Sequence, residues 1–265
     1  YFFLKKRPVE HFKVLEFRTL DSVEHSKASA ELKDTIAKMI NIQDWMKNYR
    51  KNEGSLALSF VGQCRNMHNG HQVLSIVRNT LGISETWYEQ VKDTNQAFRF
   101  FRKKCEEQEI LVMQNGVVGN NTHRPLSLEE FRAFALVDPF APLIFINAKD
   151  TMGGRLFSLL HEIVHLFLGE DNVFNWNGQV TSFVKETEQL CNQVAAEILA
   201  PENEFRKLWQ EYVSEQNILF SVQQIAKKFH CSLTVVSRRA LDLHYISIQQ
   251  YHDLVGLFSQ SYQKG

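Results

Sequence analysis

Apolar residues recur at helical spacing through the first third of the chain. Residues 26–51, SKASAELKDTIAKMINIQDWMKNYRK, form one such stretch. Its predicted buried face carries Leu32, Ile36, Met39, Ile40 and Trp45. A second helix is predicted over 72–81 and ends at Gly82, and a third opens at Ser84 and continues to residue 108. The first 28 residues have no clear pattern, so this third is predicted to be helical from about residue 29.

The pattern changes after residue 108, where short apolar runs of strand type appear. These are EILVMQNG, FRAFALVD and PLIFINA, with GVVGNNTHRP expected as a loop after the first. A strongly apolar helix is predicted over 152–168 and ends at Gly169. DNVFNWNGQV is expected to be a loop, a second helix over 181–200 ends at Pro201, and two or three further helices follow. The pattern therefore predicts an α+β fold, mainly helical, with a small three-stranded sheet beside helix 152–168.

Three segments follow from this change of pattern: a helical N-terminal segment, 1–108, a core with the sheet, 109–205, and a helical C-terminal segment, 206–265. With 265 residues and 44% hydrophobic composition, the chain can bury a substantial core.

The charge and cysteine content narrow the function classes. Thirty Lys and Arg balance thirty Asp and Glu, so no overall charge draws the protein to nucleic acid or an anionic membrane. No apolar run of 18 residues appears, so no membrane helix is predicted. The four cysteines are far apart and form no C-x-x-C pair, which argues against disulfides and thiolate zinc sites. A reducing, cytoplasmic location is expected.

The apolar helix contains LLHEIVHLFLGE, residues 159–170, in which two histidines stand four apart. His161 and His165 therefore project from one helix face and can bind one zinc ion together. Glu162 lies about 100° round the helix, where it can act as a general base rather than a ligand. Composition alone would produce H-E-x-x-H by chance roughly 0.03 times in a chain this long. Because the helix is apolar nearly all round, both histidines need buried partners, and one metal ion would serve both.

A catalytic zinc site needs a third protein ligand and an open position for water. The next helix offers Glu188, Glu197 and Glu186. Glu188 shares a face with the small residue Ala195, which favours close approach to the metal helix. Glu197 lies about half a turn away and is the alternative, while Glu186 is expected to be solvated. Helix-face reasoning alone leaves the choice open.

The stretch INAKDTMGGRLFSLLHEIVHLFLGE, followed by ETEQLCNQVAAEILAP, resembles the ImmA/IrrE family of zinc metallopeptidases. The family pattern is an R-x-x-x-x-x-H-E-x-x-H helix followed by E-x-x-x-N-x-x-A-A-x-x-L-x-P. The matching positions are Arg155, His161, Glu162, His165, Glu188, Asn192, Ala195, Ala196, Leu199 and Pro201. The segment FALVDPFAPLIFINAKD also resembles the family's strand pair before the metal helix.

This resemblance implies a zinc endopeptidase with one Zn²⁺ per chain, held by His161, His165 and Glu188, with Glu162 as the catalytic base. The implied substrate is a protein, a transcriptional repressor cut in a stress or gene-switch response. Residues 15–110 resemble the segment that joins such peptidases to an XRE-type helix-turn-helix domain, which is absent from this sequence. Arg155, about 9 Å along the axis from His161, is expected to stabilise the fold. The alternative function is a non-catalytic zinc-containing regulator that binds DNA or a partner protein.

Three further features of the sequence have more than one interpretation. The oxyanion could be stabilised by Tyr212, His230, His244 or Tyr245, and nothing in the sequence chooses among them. Residues 219–247, LFSVQQIAKKFHCSLTVVSRRALDLHYIS, have helix-turn-helix spacing, with Lys227, Lys228, Arg238 and Arg239 as candidate phosphate contacts. Packing of this segment as a helical lid on the peptidase core is favoured over DNA binding. A sheet edge formed by FRAFALVD or PLIFINA could bind an extended substrate peptide. The alternative is that both strands are interior, and their side chains Phe134, Leu143, Phe145 and Ile146 are expected to lie in the core.

Overall fold

The computed structural model describes residues 28–169, 182–213 and 217–262, and in these ranges the fold is α+β and mainly helical. This confirms the predicted fold class. Predictions for residues 1–27 and for the loop DNVFNWNGQV lie outside the described residues. The helices are α1 (Ala30–Asn52), α2 (Gly70–Leu81), α3 (Thr94–Glu107), α4 (Met152–Leu168), α5 (Ser182–Leu199), α6 (Glu202–Tyr212), α7 (Ile218–Phe229), α8 (Leu233–Asp242) and α9 (Ile248–Tyr262). The strands are β1 (Leu111–Asn115), β2 (Val117–Val118), β3 (Asn121–Pro125), β4 (Ala133–Leu136) and β5 (Leu143–Asn147).

Helix α1 buries the predicted apolar face only along its first half. Its N-cap is Ser29, whose side chain accepts from the Leu32 amide. Trp45, placed on the buried face by the sequence pattern, is 64% exposed and stacks on Tyr49. The prediction for Trp45 is wrong because Trp45 lies about half a turn round from Ile36, nine residues earlier.

Gln43 occupies the position on α1 where the apolar face would continue. Its side-chain amide donates to the carbonyls of Leu136 and Ala141 at 2.9 Å each, and Gln43 is buried. A buried polar residue with partners therefore completes the contact of α1 with the sheet region.

The predicted long helix from Ser84 to residue 108 is divided in the structure. A short 3₁₀ turn, Trp87–Gln90, comes first, and α3 begins only at Thr94. Asp93 is extended and its side chain accepts from the Gln96 amide, so it caps a new helix. The N-cap at Asp93 was the feature that the apolar pattern did not reveal.

The three predicted strands form one sheet in the order β1-β5-β4. Strand β5 is central, parallel to β1 and antiparallel to β4. The predicted loop GVVGNNTHRP instead contains the hairpin β2–β3. Gly119, with φ of 58°, lies in its turn and adopts the left-handed conformation that glycine favours. The loop prediction is therefore wrong in part. Strand β2 has only two residues and β3 is polar, so neither shows the apolar alternation of a half-buried strand.

Strand β5 is buried on both faces and divides the interior into two apolar clusters. Leu143 and Phe145 belong to the cluster that contains the buried residues of α1. Ile144 and Ile146 belong to the larger cluster, which contains the apolar residues of α4. This alternation follows from the two-residue period of a strand. It places α4 on the face of the sheet opposite α1.

The larger apolar cluster includes residues of all three predicted segments, from Phe60 through α4 to Phe258. The segment boundaries at 108 and 205 stay predictions. Within the described ranges, no helix has both the length and the hydropathy that a membrane span requires.

Candidate metal centre

Helix α4 is fixed at its start by a compact polar cluster. Thr151 is the N-cap, and its hydroxyl accepts from the Gly154 amide at 3.1 Å. Arg155 donates to the backbone carbonyls of Asp150, at 2.7 Å, and Ala148. Arg132 forms an ion pair with the buried carboxylate of Asp150. These contacts agree with the expectation that Arg155 stabilises the fold.

The C-terminal end of α4 is held by a loop that lies about a hundred residues earlier in the sequence. The amide of Gly62 donates to the Leu166 carbonyl at 3.0 Å, and that of Cys64 donates to the Phe167 carbonyl at 2.8 Å. Gly169, with φ of 62°, ends the helix so close to Gly62 that a Cβ at Gly169 would overlap the Gly62 backbone. Helix-end carbonyls that would otherwise lack partners are thereby satisfied.

Between these two ends, every residue of α4 from Leu156 to Leu168 is buried, including both histidines and the intervening Glu162. His161 is 1% exposed, His165 5% and Glu162 1%. Histidine and glutamate are seldom buried so deeply without a partner or a chemical role. The sequence prediction of a buried helix is confirmed.

Glu188 on α5 faces both imidazoles. Its Oε2 lies 3.2 Å from Nε2 of His161, and its Oε1 lies 3.3 Å from Nε2 of His165. The two Nε2 atoms are themselves 3.0 Å apart. Two ring nitrogens and one carboxylate thus converge on a single point between α4 and α5.

The environment of Glu188 favours its ionised form. Burial alone would raise its pKa, but the hydrogen bonds and charges of His161 and His165 outweigh burial and hold the pKa well below its usual range. A carboxylate that stays ionised is the form that binds a cation.

The spacing of these donor atoms fits a tetrahedral metal ion. Ligand atoms about 2.0–2.1 Å from a tetrahedral zinc ion stand roughly 3.3 Å from one another. The measured separations among His161, His165 and Glu188 are 3.0–3.3 Å. Two imidazoles and one carboxylate are also a donor set found in catalytic zinc sites. The residues therefore fit a zinc ion.

Cys191, which sequence reasoning did not single out, joins this cluster. One donor atom each of His161, His165 and Cys191 lies within 4.8 Å of the others. The Cys191 Sγ is 3.6 Å from Nδ1 of His165, the ring nitrogen on the side away from Glu188. Cys191 follows Glu188 by three residues on the same helix face, and this spacing was the available indication.

The profile of the peptidase M78 family, described as the IrrE N-terminal-like domain, matches residues 105–241. The match spans more than half of the 265 residues. The chain belongs to this peptidase family. No curated protein matches the chain.

Membership of the IrrE-like peptidase family points to a metallopeptidase. The family predicted from the sequence is thereby confirmed. The matched segment contains the sheet, α4, α5 and the helices as far as α8. Both elements that carry the candidate ligands therefore lie inside it.

The alternative ligand Glu197 has other partners in the IrrE-like peptidase domain. Its Oε1 accepts from the Glu202 amide at 2.9 Å, and its Oε2 forms an ion pair with Arg239. Glu186 is exposed and lines a surface cleft of about 270 Å³ together with His68. The carboxylate that lies beside His161 and His165 is therefore that of Glu188, and not that of Glu197 or Glu186.

The four oxyanion candidates are distributed over the C-terminal helices of the peptidase. Tyr245 stacks on Trp209 with ring centroids 5.0 Å apart. Hydrogen bonding to Glu211 raises the pKa of Tyr212. His230 and His244 each adopt a left-handed conformation at a helix end, with φ of 52° and 61°. No oxyanion residue is assigned, and the four remain alternatives.

Proposed function

We propose that the chain is a zinc-dependent endopeptidase in which His161, His165 and Glu188 hold one Zn²⁺ and Glu162 is the general base. The observation that carries the proposal is the triangle of donor atoms with sides of 3.0–3.3 Å. Family membership supports the peptidase activity and the need for a metal.

A zinc ion at this position supplies a Lewis acid that polarises the scissile carbonyl and makes water a stronger acid. The carboxylate of Glu162 takes the proton from the attacking water and then delivers it to the leaving amine nitrogen. His161 and Glu162 are adjacent, so the base stands about 100° round the helix from the ligand face, beside the ion rather than on it. Burial of Glu162 keeps bulk water from competing for its proton.

Strand β4 is the candidate binding strand for an extended substrate. It is an edge strand of the three-stranded sheet, whereas β5 is central. Helix α4, which carries His161 and His165, packs against both strands. We propose that a substrate segment binds alongside β4 as an added strand, with its scissile bond near the metal.

We propose a transcriptional repressor or another regulatory protein as the substrate, cut in a stress or gene-switch response in the cytoplasm. The support is the ImmA/IrrE resemblance together with family membership. Among the described residues, the cysteines at 64, 105, 191 and 231 form no disulfide, which suits a reducing compartment.

The decisive experiment compares wild type with Glu162→Gln in cells that co-express candidate repressors, with labelling of newly formed protein N-termini. Cleavage should fall at least about 100-fold in the variant because the base is lost. Zinc content, measured by elemental analysis, should stay at one ion per chain because no ligand is removed. Cleavage products formed equally by both proteins would contradict the assignment of Glu162.

A non-catalytic regulator that binds DNA is the alternative function, and the position of α8 weighs against it. Arg239, one of the four candidate phosphate contacts, is buried in its ion pair with Glu197. Ser232, at the start of α8, packs against α4, where a Cβ on Gly153 would come within 3.1 Å of the Ser232 Cβ. A gel-shift titration with duplex DNA tests this alternative, and salt-dependent binding would support it.

A further inference from the structure

Cys191 lies behind the imidazole of His165, buried and one helical turn beyond Glu188. Its side chain is 0% exposed, and its Sγ stands 3.6 Å from Nδ1 of His165. This distance is typical of a hydrogen bond that involves sulfur, which is longer than one between nitrogen and oxygen. The same ring presents its other nitrogen, Nε2, to Glu188 at 3.3 Å. Residues of α5 therefore contact both nitrogens of one metal-facing imidazole.

Which ring nitrogen of His165 carries the proton depends on what Nε2 binds. A nitrogen that binds a metal carries no proton, so with zinc bound the ring proton resides on Nδ1, which donates to the Cys191 sulfur. Without metal, an Nε2 proton would donate to the Glu188 carboxylate, and Nδ1 would become an acceptor. A thiol can serve in both situations because it is a weak donor and a weak acceptor. A carboxylate or backbone carbonyl could serve only in the first.

We infer that Cys191 is a positioning residue that orients the His165 ring for metal binding through the Nδ1–Sγ hydrogen bond. The inference rests on the proposed zinc site. Ligating histidines generally donate a hydrogen bond from their second nitrogen, most often to a carboxylate, a backbone carbonyl or water. In this peptidase a thiol from the helix that carries the third ligand takes that position. Glu188 and Cys191 therefore move together whenever α5 shifts relative to α4.

Direct binding of the metal by Cys191 is the competing arrangement. The donor atoms of Cys191 and the two histidines fall within 4.8 Å, a looser limit than the 3.0–3.3 Å of the set with Glu188. The sulfur also lies nearest the nitrogen that faces away from Glu188. Cobalt substitution separates the two arrangements, because a thiolate ligand adds a near-ultraviolet charge-transfer band.

The test measures zinc affinity by chelator competition for Cys191→Ala, Cys191→Ser and Cys105→Ala. Cys105 is the matched control, since it is fully buried in α3, which packs against α4. We expect Cys191→Ala to weaken zinc binding roughly 10-fold or more, the usual cost of removing such a supporting hydrogen bond. Cys191→Ser should recover most of that loss because a hydroxyl also donates and accepts, and Cys105→Ala should bind zinc as wild type does. An affinity for Cys191→Ala within about twofold of wild type would overturn the inference, as would weakening by Cys105→Ala to the same degree.

Spectroscopy provides the readout that a purely structural role would not change. Nitrogen NMR of the zinc-loaded protein should place the His165 proton on Nδ1, with slow exchange in wild type and in Cys191→Ser and faster exchange in Cys191→Ala. A cobalt charge-transfer band that disappears in Cys191→Ala would make Cys191 a ligand and refute the positioning role. If Cys191→Ala does not fold, Cys191→Ser and the wild-type cobalt spectrum decide.

Failure of the zinc site itself is recognisable separately. A wild-type protein that takes up no zinc would refute the proposed metal centre. The hydrogen bond would then be judged in the metal-free protein, where the Nδ1 nitrogen resonance of His165 should differ between wild type and Cys191→Ala. An identical resonance in both would refute the contact.

Discussion

Gly154, in the first turn of α4, leaves room for a buried carboxylate that any side chain would displace. A Cβ at this position would lie 2.5 Å from Cγ of Asp150 and about as close to both carboxylate oxygens. Asp150 is 4% exposed, is paired with Arg132, and accepts from the Thr151 amide at 2.8 Å. The substitution Gly154→Ala therefore forces the buried carboxylate of Asp150 away from its partners, close to the N-cap of α4.

The expected cost follows from the contacts of Asp150. Loss of two charge-assisted hydrogen bonds, from Arg132 and from Thr151, costs about 1.5–3 kcal/mol each. Alanine returns about 1 kcal/mol through its higher helix propensity. We therefore expect the free energy of unfolding to fall by about 2–5 kcal/mol. In a chain of this size that corresponds to a loss of about 5–15 °C in Tm.

Thermal and urea unfolding, followed by circular dichroism, measure this change. Gly256→Ala is the matched control because no heavy atom lies within 4 Å of its added Cβ, and it should stabilise α9 by about 0.5–1 kcal/mol. At 20 °C the folded Gly154→Ala protein should still bind zinc, since none of the proposed ligands is altered. A Gly154→Ala protein that melts at or above the wild-type temperature would refute the account of this turn.

Two further predictions concern the carboxylates of α5. Glu188→Ala should lose most of its zinc by elemental analysis, whereas Glu186→Ala, on the exposed face, should keep it; full retention by both would reject Glu188 as a ligand. Glu197→Gln should lower the free energy of unfolding by about 1–3 kcal/mol, because the buried Arg239 would lose its ion pair with Glu197 and keep only the longer one with Glu202, at 3.7 Å. Glu106→Gln, which breaks an exposed ion pair with Arg102 on α3, should change the free energy of unfolding by less than about 1 kcal/mol. Equal effects of Glu197→Gln and Glu106→Gln would argue that burial is not the cause.

Local pattern was sufficient to predict the elements that are strongly apolar. Helix α4 begins and ends at the residues expected, and the three apolar runs form one sheet. The hairpin β2–β3 was missed because β2 has only two residues, β3 is polar, and among the described strands the two pair only with each other. Trp45 was misplaced although helical periodicity itself puts it about half a turn round from Ile36, away from the buried face of α1.

The choice among the carboxylates of α5 shows why sequence alone could not complete the site. The pattern of α5 places Glu188 and Glu197 near opposite faces, but both faces contain apolar neighbours, so rotation about the helix axis was undetermined. The structure separates them through Arg239, whose ion pair occupies Glu197. That partner lies more than forty residues later, on α8, and no local rule links the two positions. Family resemblance, rather than spacing, favoured Glu188 at the sequence level.

Placement of the proposed metal ligands depends on contacts that lie outside the segment matched by the peptidase family. The end of α4 is held by the amides of Gly62 and Cys64, and the end of α5 by Arg78 and Trp87, which donate to backbone carbonyls of residues 197 and 198 at 2.9 and 2.8 Å. All four donors precede residue 105, where the family match begins. Buried carbonyls deprived of such donors cost about 1–3 kcal/mol each. The separation of α4 and α5 sets the distance from Glu188 to the two rings, so these contacts from the N-terminal segment help to hold the proposed ligands in place.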